Sequence, residues 1–204
     1  GAPRQSRHFA PEPAAHPDSG DGAGGGSGNS PVKMMNEWCL PTVVMQSYLN
    51  DIMAKLEKEG VTLPHIAVTG GFTMEDQVYK ALALGAPYIS AVGICRASMA
   101  AAMSAKKVGE LLEAGKLPVE LQRFGFTKDE LFPDLRELRN IYGEEANNFS
   151  TGAIGVYSFL NRIAFGLKHF AALNRKFHLK YIEKNDIFPL TRDAKDIMDG
   201  KWMK

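Results

Sequence analysis

A strand–helix–strand pattern within about 30 residues constrains the fold of this chain more than any other feature. LPHIAVTGGF (63–72) is an apolar run that ends at two glycines, which predicts a buried strand. TMEDQVYKALALG (73–85) predicts a helix with Thr73 as N-cap and Asp76 completing a capping-box variant. PYISAVGI (87–94) predicts a second buried strand, so the two strands should be parallel neighbours in a βαβ unit.

The rest of the chain divides by composition into an arm and helical segments. Residues 1–31 hold 5 of the 11 prolines and 7 of the 20 glycines, which predicts an arm that is disordered unless a partner binds it. Residues 32–115 contain the βαβ unit, with a helix over 40–60 before it and another over 96–115 after it. Residues 116–204 show only helical patterns, at 118–124, 128–142 and 152–183, and predict a helical extension.

Charge and cysteine content exclude several classes of protein. The net charge of +1 gives no electrostatic argument for nucleic acid. Two cysteines, Cys39 and Cys95, are too few for a disulfide framework or a cluster site, and the histidines show no metal-ligand spacing. The low cysteine content predicts free thiols in a reducing compartment. That compartment is either cytoplasmic or organellar, because Arg4 and Arg7 near the start are compatible with the remnant of a transit peptide or with an ordinary tail.

The helical pattern from Val156 to Tyr181 carries apolar residues on one side and cations on the other. Arg162, Lys168 and Arg175 recur away from the apolar side, and no acid occurs from residue 146 to residue 182. Two interpretations remain open at this point. The helix either presents a solvated basic face, or it docks on an acidic partner or on a membrane surface.

Two loops after the predicted strands are the candidate binding site. Gly70 and Gly71 lead into one helix, and Gly93, Cys95 and Arg96 lead into the next. Backbone N–H groups at a helix N-terminus favour an anion such as phosphate, and an arginine adds a guanidinium. The alternative is a tight turn with Arg96 in a surface ion pair and no bound anion. The residues by themselves show no catalytic set.

The chain resembles the FMN-binding glutamate synthase family in several motifs. AVTGGFTMEDQVYKALALGAPYISAVGICRASMAAAM (67–103) resembles the seventh and eighth strand region of an FMN-dependent (β/α)₈ barrel. GDGAGGGSGNSPVKMMNEWCLPT (20–42) resembles that family's glycine-rich loop after the sixth strand. The tail from Gly152 onward resembles the C-terminal extension of short members, so the resemblance covers about residues 20–195.

This resemblance implies a fold, a cofactor and a reaction. The fold is α/β, a partial (β/α)₈ barrel containing the last βαβ unit and followed by a mainly helical C-terminal extension. The reaction converts 2-oxoglutarate and ammonia, through 2-iminoglutarate, into L-glutamate by hydride transfer from reduced FMN. The residues implied to line the FMN phosphate are Gly70, Gly71, Gly93, Cys95 and Arg96. Those implied to face the flavin and substrate are Gly25, Gly26 and Ser27.

The chain also departs from the family pattern. A (β/α)₈ barrel takes about 250 residues, and only two of its strands can be predicted here. EPAAHPDSG (12–20) stands where the sixth strand should be, and its composition predicts none. Three hypotheses follow. The first is a fragment or split subunit of a flavin oxidoreductase, inactive until another chain completes its barrel. The second is a catalytically inactive structural or accessory subunit of a larger assembly, which could be an organellar membrane complex, and the third is a small phosphate-ligand binder.

Overall fold

A computed structural model describes residues 18–23 and 31–201. The fold is mixed α/β and mostly helical. The strands are β1 (Asp18–Asp21), β2 (Ile66–Thr69) and β3 (Ile89–Val92). The helices are α1 (Val32–Asn36), α2 (Thr42–Lys58), α3 (Glu75–Gly85), α4 (Arg96–Glu113), α5 (Val119–Gln122), α6 (Lys128–Leu131), α7 (Leu135–Tyr142), α8 (Thr151–Leu173) and α9 (Arg192–Met198).

The chain forms two compact units. The first contains the described residues up to Ile94 together with those from Gly166 onward, and the second is Cys95–Phe165. The boundaries suggested by composition, at residues 31 and 115, do not coincide with these units, because the C-terminal segment packs on α3 in the first unit. No helix within the described part of the chain is both long and apolar enough to cross a membrane.

The three strands form one parallel sheet in the order β1-β2-β3. The βαβ unit predicted from the sequence is confirmed, since β2 and β3 pair in parallel with α3 between them. Ile66 and Val68 of the central strand are buried, as expected for a parallel strand covered by helices. Met53 of α2 is fully buried among Ile66, Val68, Ala81 and Ile89, and this cluster is a hydrophobic core of the first unit.

Strand β1 differs from the sequence prediction. It lies in the predicted arm, in a segment whose composition predicts no strand, yet Asp18–Asp21 pairs with Ile66–Thr69 in register. Pairing uses the backbone N–H and C=O groups that every residue of this segment carries, so it does not require the apolar side chains on which a sequence pattern depends. The other residues of the arm, 1–17 and 24–30, lie outside the described residues.

The C-terminal segment is held on α3 by apolar contacts and a side-chain hydrogen bond. Ile182 is buried with Tyr79 and Ala83. The Asn174 side-chain amide donates to the Tyr79 hydroxyl at 2.8 Å. Burial raises the pKa of Tyr79, and the charge of Asp186 adds to that effect. These contacts fix the path of the chain after α8.

The predicted helix over 152–183 is wrong beyond residue 173. Arg175 has a φ of 56°, a left-handed conformation that ends a helix. The Lys176 N–H then returns to the Ala171 carbonyl at 2.8 Å. Apolar periodicity continues past this point in the sequence, but the tertiary contacts of residues 174–187 override it.

The second unit is a helical cluster. Leu135 and Ile154 are almost fully buried at its centre, with Phe132, Leu138 and Ala146. Gly152 and Gly155 allow α8 to approach α4 closely, since a Cβ at Gly155 would lie 2.9 Å from the Ala101 carbonyl oxygen. Within the described part of the chain no strand follows β3, as the sequence predicts.

The stability of the second unit should depend on pH through Asp129. Arg139 donates two hydrogen bonds to the Asp129 carboxylate, at 2.7 and 2.9 Å. They lower the pKa of Asp129 below its ordinary value of 3.8. This stabilisation is therefore present above about pH 4 and lost as pH falls through the lowered pKa.

We expect Arg139→Leu to lower the melting temperature by a few degrees at most at pH 7, since the pair is exposed. The difference from the unsubstituted chain should shrink when melting is followed by circular dichroism at progressively lower pH, down to about pH 3. Arg123→Leu, at an exposed site, is the control. A difference for Arg139→Leu that stays constant from pH 7 to pH 3 would contradict this assignment.

Candidate functional site

The loops that follow β1 and β2 meet at the carboxyl end of the sheet through a close backbone contact. The Gly22 N–H donates to the Thr69 carbonyl at 3.0 Å, which extends the pairing of β1 with β2 by one residue. The Ala23 N–H donates to the Leu40 carbonyl at 2.8 Å. The start of the glycine-rich segment is therefore fixed against both β2 and the chain leading into α2.

Thr42, the first residue of α2, packs against both loops at this contact. Its hydroxyl donates to the Gly70 carbonyl at 2.8 Å. A Cβ at Gly70 would lie 2.6 Å from the Thr42 Oγ1 and 2.9 Å from the Gly22 carbonyl carbon. A Cβ at Gly22 would overlap Thr42 as well. Glycine is required at both positions because two backbones and a threonine share one small space.

The glycines after β2 also have backbone conformations that side chains disfavour. Gly70 has a φ of 120° and Gly71 a φ of 80°. A Cβ at Gly71 would meet only the Ala23 carbonyl oxygen, at an ordinary 3.5 Å. Gly70 is therefore constrained by both packing and φ, whereas Gly71 is constrained by φ alone.

The loop after β3 begins with a glycine that packs on the sheet. The Gly93 N–H donates to the Val68 carbonyl at 2.8 Å, and a Cβ at Gly93 would lie 2.7 Å from the Thr69 Cγ2. The structure therefore gives Gly93 a packing role at the strand end.

The N-terminus of α3 is capped by its own side chain. The Gln77 Oε1 accepts from the Thr73 N–H at 2.8 Å, from the Thr73 hydroxyl at 3.0 Å and from the Met74 N–H at 3.2 Å. The sequence prediction of Thr73 as N-cap with Asp76 as its partner is wrong by one residue, because Gln77 fills that role. Asp76 instead accepts from Lys80 at 2.7 Å, which lowers the pKa of its carboxyl.

The N-terminus of α4 differs from that of α3 in its capping and its charge. Cys95 is its N-cap residue, Arg96 is its first residue, and both are exposed. The first turn of α4 contains no acidic residue, and no side chain caps it. The Ser98 hydroxyl donates to the Cys95 carbonyl at 2.8 Å. This helix start suits an anion better than that of α3.

The remaining predicted site residues lie elsewhere. Gly25, Gly26 and Ser27 lie outside the described residues. Arg162 and Lys168 are exposed on α8, but Arg175 follows the end of that helix, so the three cations predicted for docking do not form one helical face. Across residues 18–23 and 31–201, no group of His, Cys, Asp or Glu side chains could hold a metal ion.

Sequence reasoning missed Gly22, Thr42 and Gln77. Thr42 is separated from Gly70 by 28 positions, so no local pattern joins them. The sequence did contain a signal for Gln77, since a glutamine three residues after the N-cap is a capping-box residue.

No family model, curated protein or solved structure matches this chain.

Proposed function

We propose that this chain is part of an FMN-dependent (β/α)₈ barrel of the glutamate-synthase type, with its remaining strands supplied by another chain. In such a barrel consecutive parallel strands are neighbours, and each is followed by a helix. The order β1-β2-β3, with α2, α3 and α4 after the three strands, supports the proposal.

The observation that carries the proposal is the position of β1. The resemblance to the family requires a strand immediately before the glycine-rich segment, on the open side of the next strand. Asp18–Asp21 pairs with β2 there, although its composition gives no reason to expect a strand. The glycine-rich segment then begins at Gly22 beside Gly70. An order of elements taken from the resemblance alone thus agrees with the backbone pairing.

FMN is proposed as the cofactor on the basis of the resemblance, and the loops after β2 and β3 agree with this proposal in the following respects. Gly70 and Gly71 form a backbone turn with positive φ at both residues, and at Gly70 there is also no room for a side chain. Cys95 and Arg96 open a helix without a capping side chain or an acid in its first turn. With Gly93 they are the residues proposed to hold the FMN phosphate, and bound FMN would supply the hydride that forms L-glutamate. Gly25, Gly26 and Ser27 are proposed to face the flavin and the substrate.

The proposal also requires a partner. Among residues 18–23 and 31–201 the sheet has three strands, and β1 and β3 each have one side that no described strand pairs with. Ser90 and Ala91 of β3 are exposed. Parallel strands are normally covered on both faces and rarely left open at an edge. We therefore expect the chain to be inactive alone and active only in an assembly that adds strands.

A second candidate function is a structural subunit that has lost catalysis. Gln77 favours it, because the Thr73 and Met74 N–H groups donate to its side chain and are already occupied. Glu75 and Asp76 in the first turn of α3 also oppose an anion at that helix start. In this alternative the chain packs in a larger complex and binds no flavin.

Arg96→Ala tests the cofactor site. A charge-assisted hydrogen bond to phosphate contributes about 1.5–3 kcal/mol, so FMN affinity in the natively isolated assembly should fall by about tenfold or more. Retained flavin, measured by fluorescence after release, gives the result. Arg123→Ala is the matched control, because Arg123 is an exposed arginine at the C-terminal end of α5. Equal flavin retention in both variants would remove Arg96 from the site.

A further inference from the structure

The chain after α8 exposes large apolar side chains over a short stretch, residues 173–190. Phe177 and Leu190 are each 89% exposed, Phe188 is 83% exposed and Leu173 is 78% exposed. Leu179 and Tyr181 are exposed as well. Single exposed apolar residues are ordinary, but six large ones within one segment of 18 residues point to a binding partner that covers them. We call residues 173–190 the apolar turn.

The apolar turn is anchored by inward-facing residues of the same segment. Lys176 forms ion pairs with Glu183 and Asp186, each at 2.8 Å. Asn174 donates to Tyr79, and Ile182 is buried against α3. Because these contacts hold the backbone, the exposed side chains project from a fixed scaffold.

The charged residues within the apolar turn and just before it in the sequence are mainly positive. Residues 168–190 contain five lysines and arginines against two acids, in a chain whose net charge is +1. Both acids, Glu183 and Asp186, are paired with Lys176. Lys168, Arg175 and Lys180 are exposed, and the Lys180 ammonium lies 4.9 Å from the centre of the Tyr181 ring.

We propose that the apolar turn binds the surface of a membrane that contains anionic phospholipids. Phenylalanine and leucine side chains would enter the boundary between headgroups and acyl chains, while Lys168, Arg175 and Lys180 contact lipid phosphates. These apolar side chains project almost fully into solvent, and the acyl chains of a membrane are fluid enough to surround such side chains. This surface is distinct from the strand loops, and the proposal does not depend on the proposed function.

Vesicle flotation with the full chain tests the proposal. Vesicles of phosphatidylcholine alone and vesicles with about one third phosphatidylserine are the two probes. We expect binding to the anionic vesicles that weakens as salt rises. Lys168→Glu with Lys180→Glu should reduce binding by about tenfold or more, because each cation near an anionic surface contributes about fivefold.

Phe177→Ser with Leu190→Ser should also reduce binding by about tenfold or more, since the apolar side chains can no longer be buried. Both pairs lie on the surface, so circular dichroism should show unchanged folding. Phe126→Ser with Val119→Ser, at exposed apolar sites of the second unit, and Lys58→Glu with Lys116→Glu are the matched controls.

Failure to float with anionic vesicles would overturn the proposal, and so would equal losses in the controls and in the apolar-turn variants. Binding to immobilised polyglutamate without binding to vesicles would overturn it in favour of an acidic protein partner. None of these outcomes alters the flavin content, so they are distinguishable from failure of the proposed function.

Discussion

Gly70→Ala is expected to destabilise the first unit by about 2–4 kcal/mol, because it adds backbone strain and overpacking at one position. Gly70 has a φ of 120°, and its Cβ would lie 2.6 Å from the Thr42 hydroxyl oxygen and 2.9 Å from the Gly22 backbone. The loops after β1 and β2 would have to separate. Urea unfolding of the full chain, followed by circular dichroism, measures the loss.

Gly60→Ala is the matched control for this substitution. Gly60 also has a positive φ, of 75°, but a Cβ there would meet nothing within 4 Å. It should therefore cost only the backbone strain, about 1 kcal/mol. Thr42→Ala in the Gly70→Ala background should recover part of the loss, since it removes one of the overlapping atoms. Equal losses at Gly60 and Gly70 would contradict the close approach of the two loops.

Met53→Ala is expected to cost about 2–5 kcal/mol, the range for truncating a fully buried side chain. Met53 lies in the cluster that joins α2 to the sheet and to α3, so truncation leaves a cavity beneath β2. Denaturant unfolding reports the change.

Met99→Ala provides the same chemical change at a site that is 64% exposed and should stay within about 0.5 kcal/mol. A loss at Met53 no larger than that at Met99 would show that α2 does not pack on the sheet.

The sequence predicts elements well where burial imposes a pattern. Apolar runs bounded by glycines predict β2 and β3, and their spacing predicts α3 between them. Strand β1 escapes prediction because its pairing is carried by backbone groups. The sequence also fails to predict the end of α8, for another reason. Arg175 adopts a left-handed conformation while the apolar periodicity continues, so tertiary contacts determine where the helix stops.

The sequence predicts the glycines of the candidate site and the helix start at Cys95 and Arg96, but not the polar contacts of the site. Gly70, Gly71 and Gly93 stand at strand ends, where a glycine signals a turn or a close approach. Thr42 contacts Gly70 across 28 positions, and Gln77 replaces the predicted cap of α3, so both depend on the folded geometry. Glycine patterns therefore locate the loops, while the polar contacts that define them appear only in three dimensions.

The flavin content of the protein isolated natively, together with whatever it binds, tests the central claim most directly. One FMN per chain, released on denaturation and lost in the Arg96→Ala variant, is the predicted result. It would place a completed FMN barrel around these loops. A chain held stoichiometrically in a larger complex without flavin would contradict the claim and identify the protein as a structural subunit.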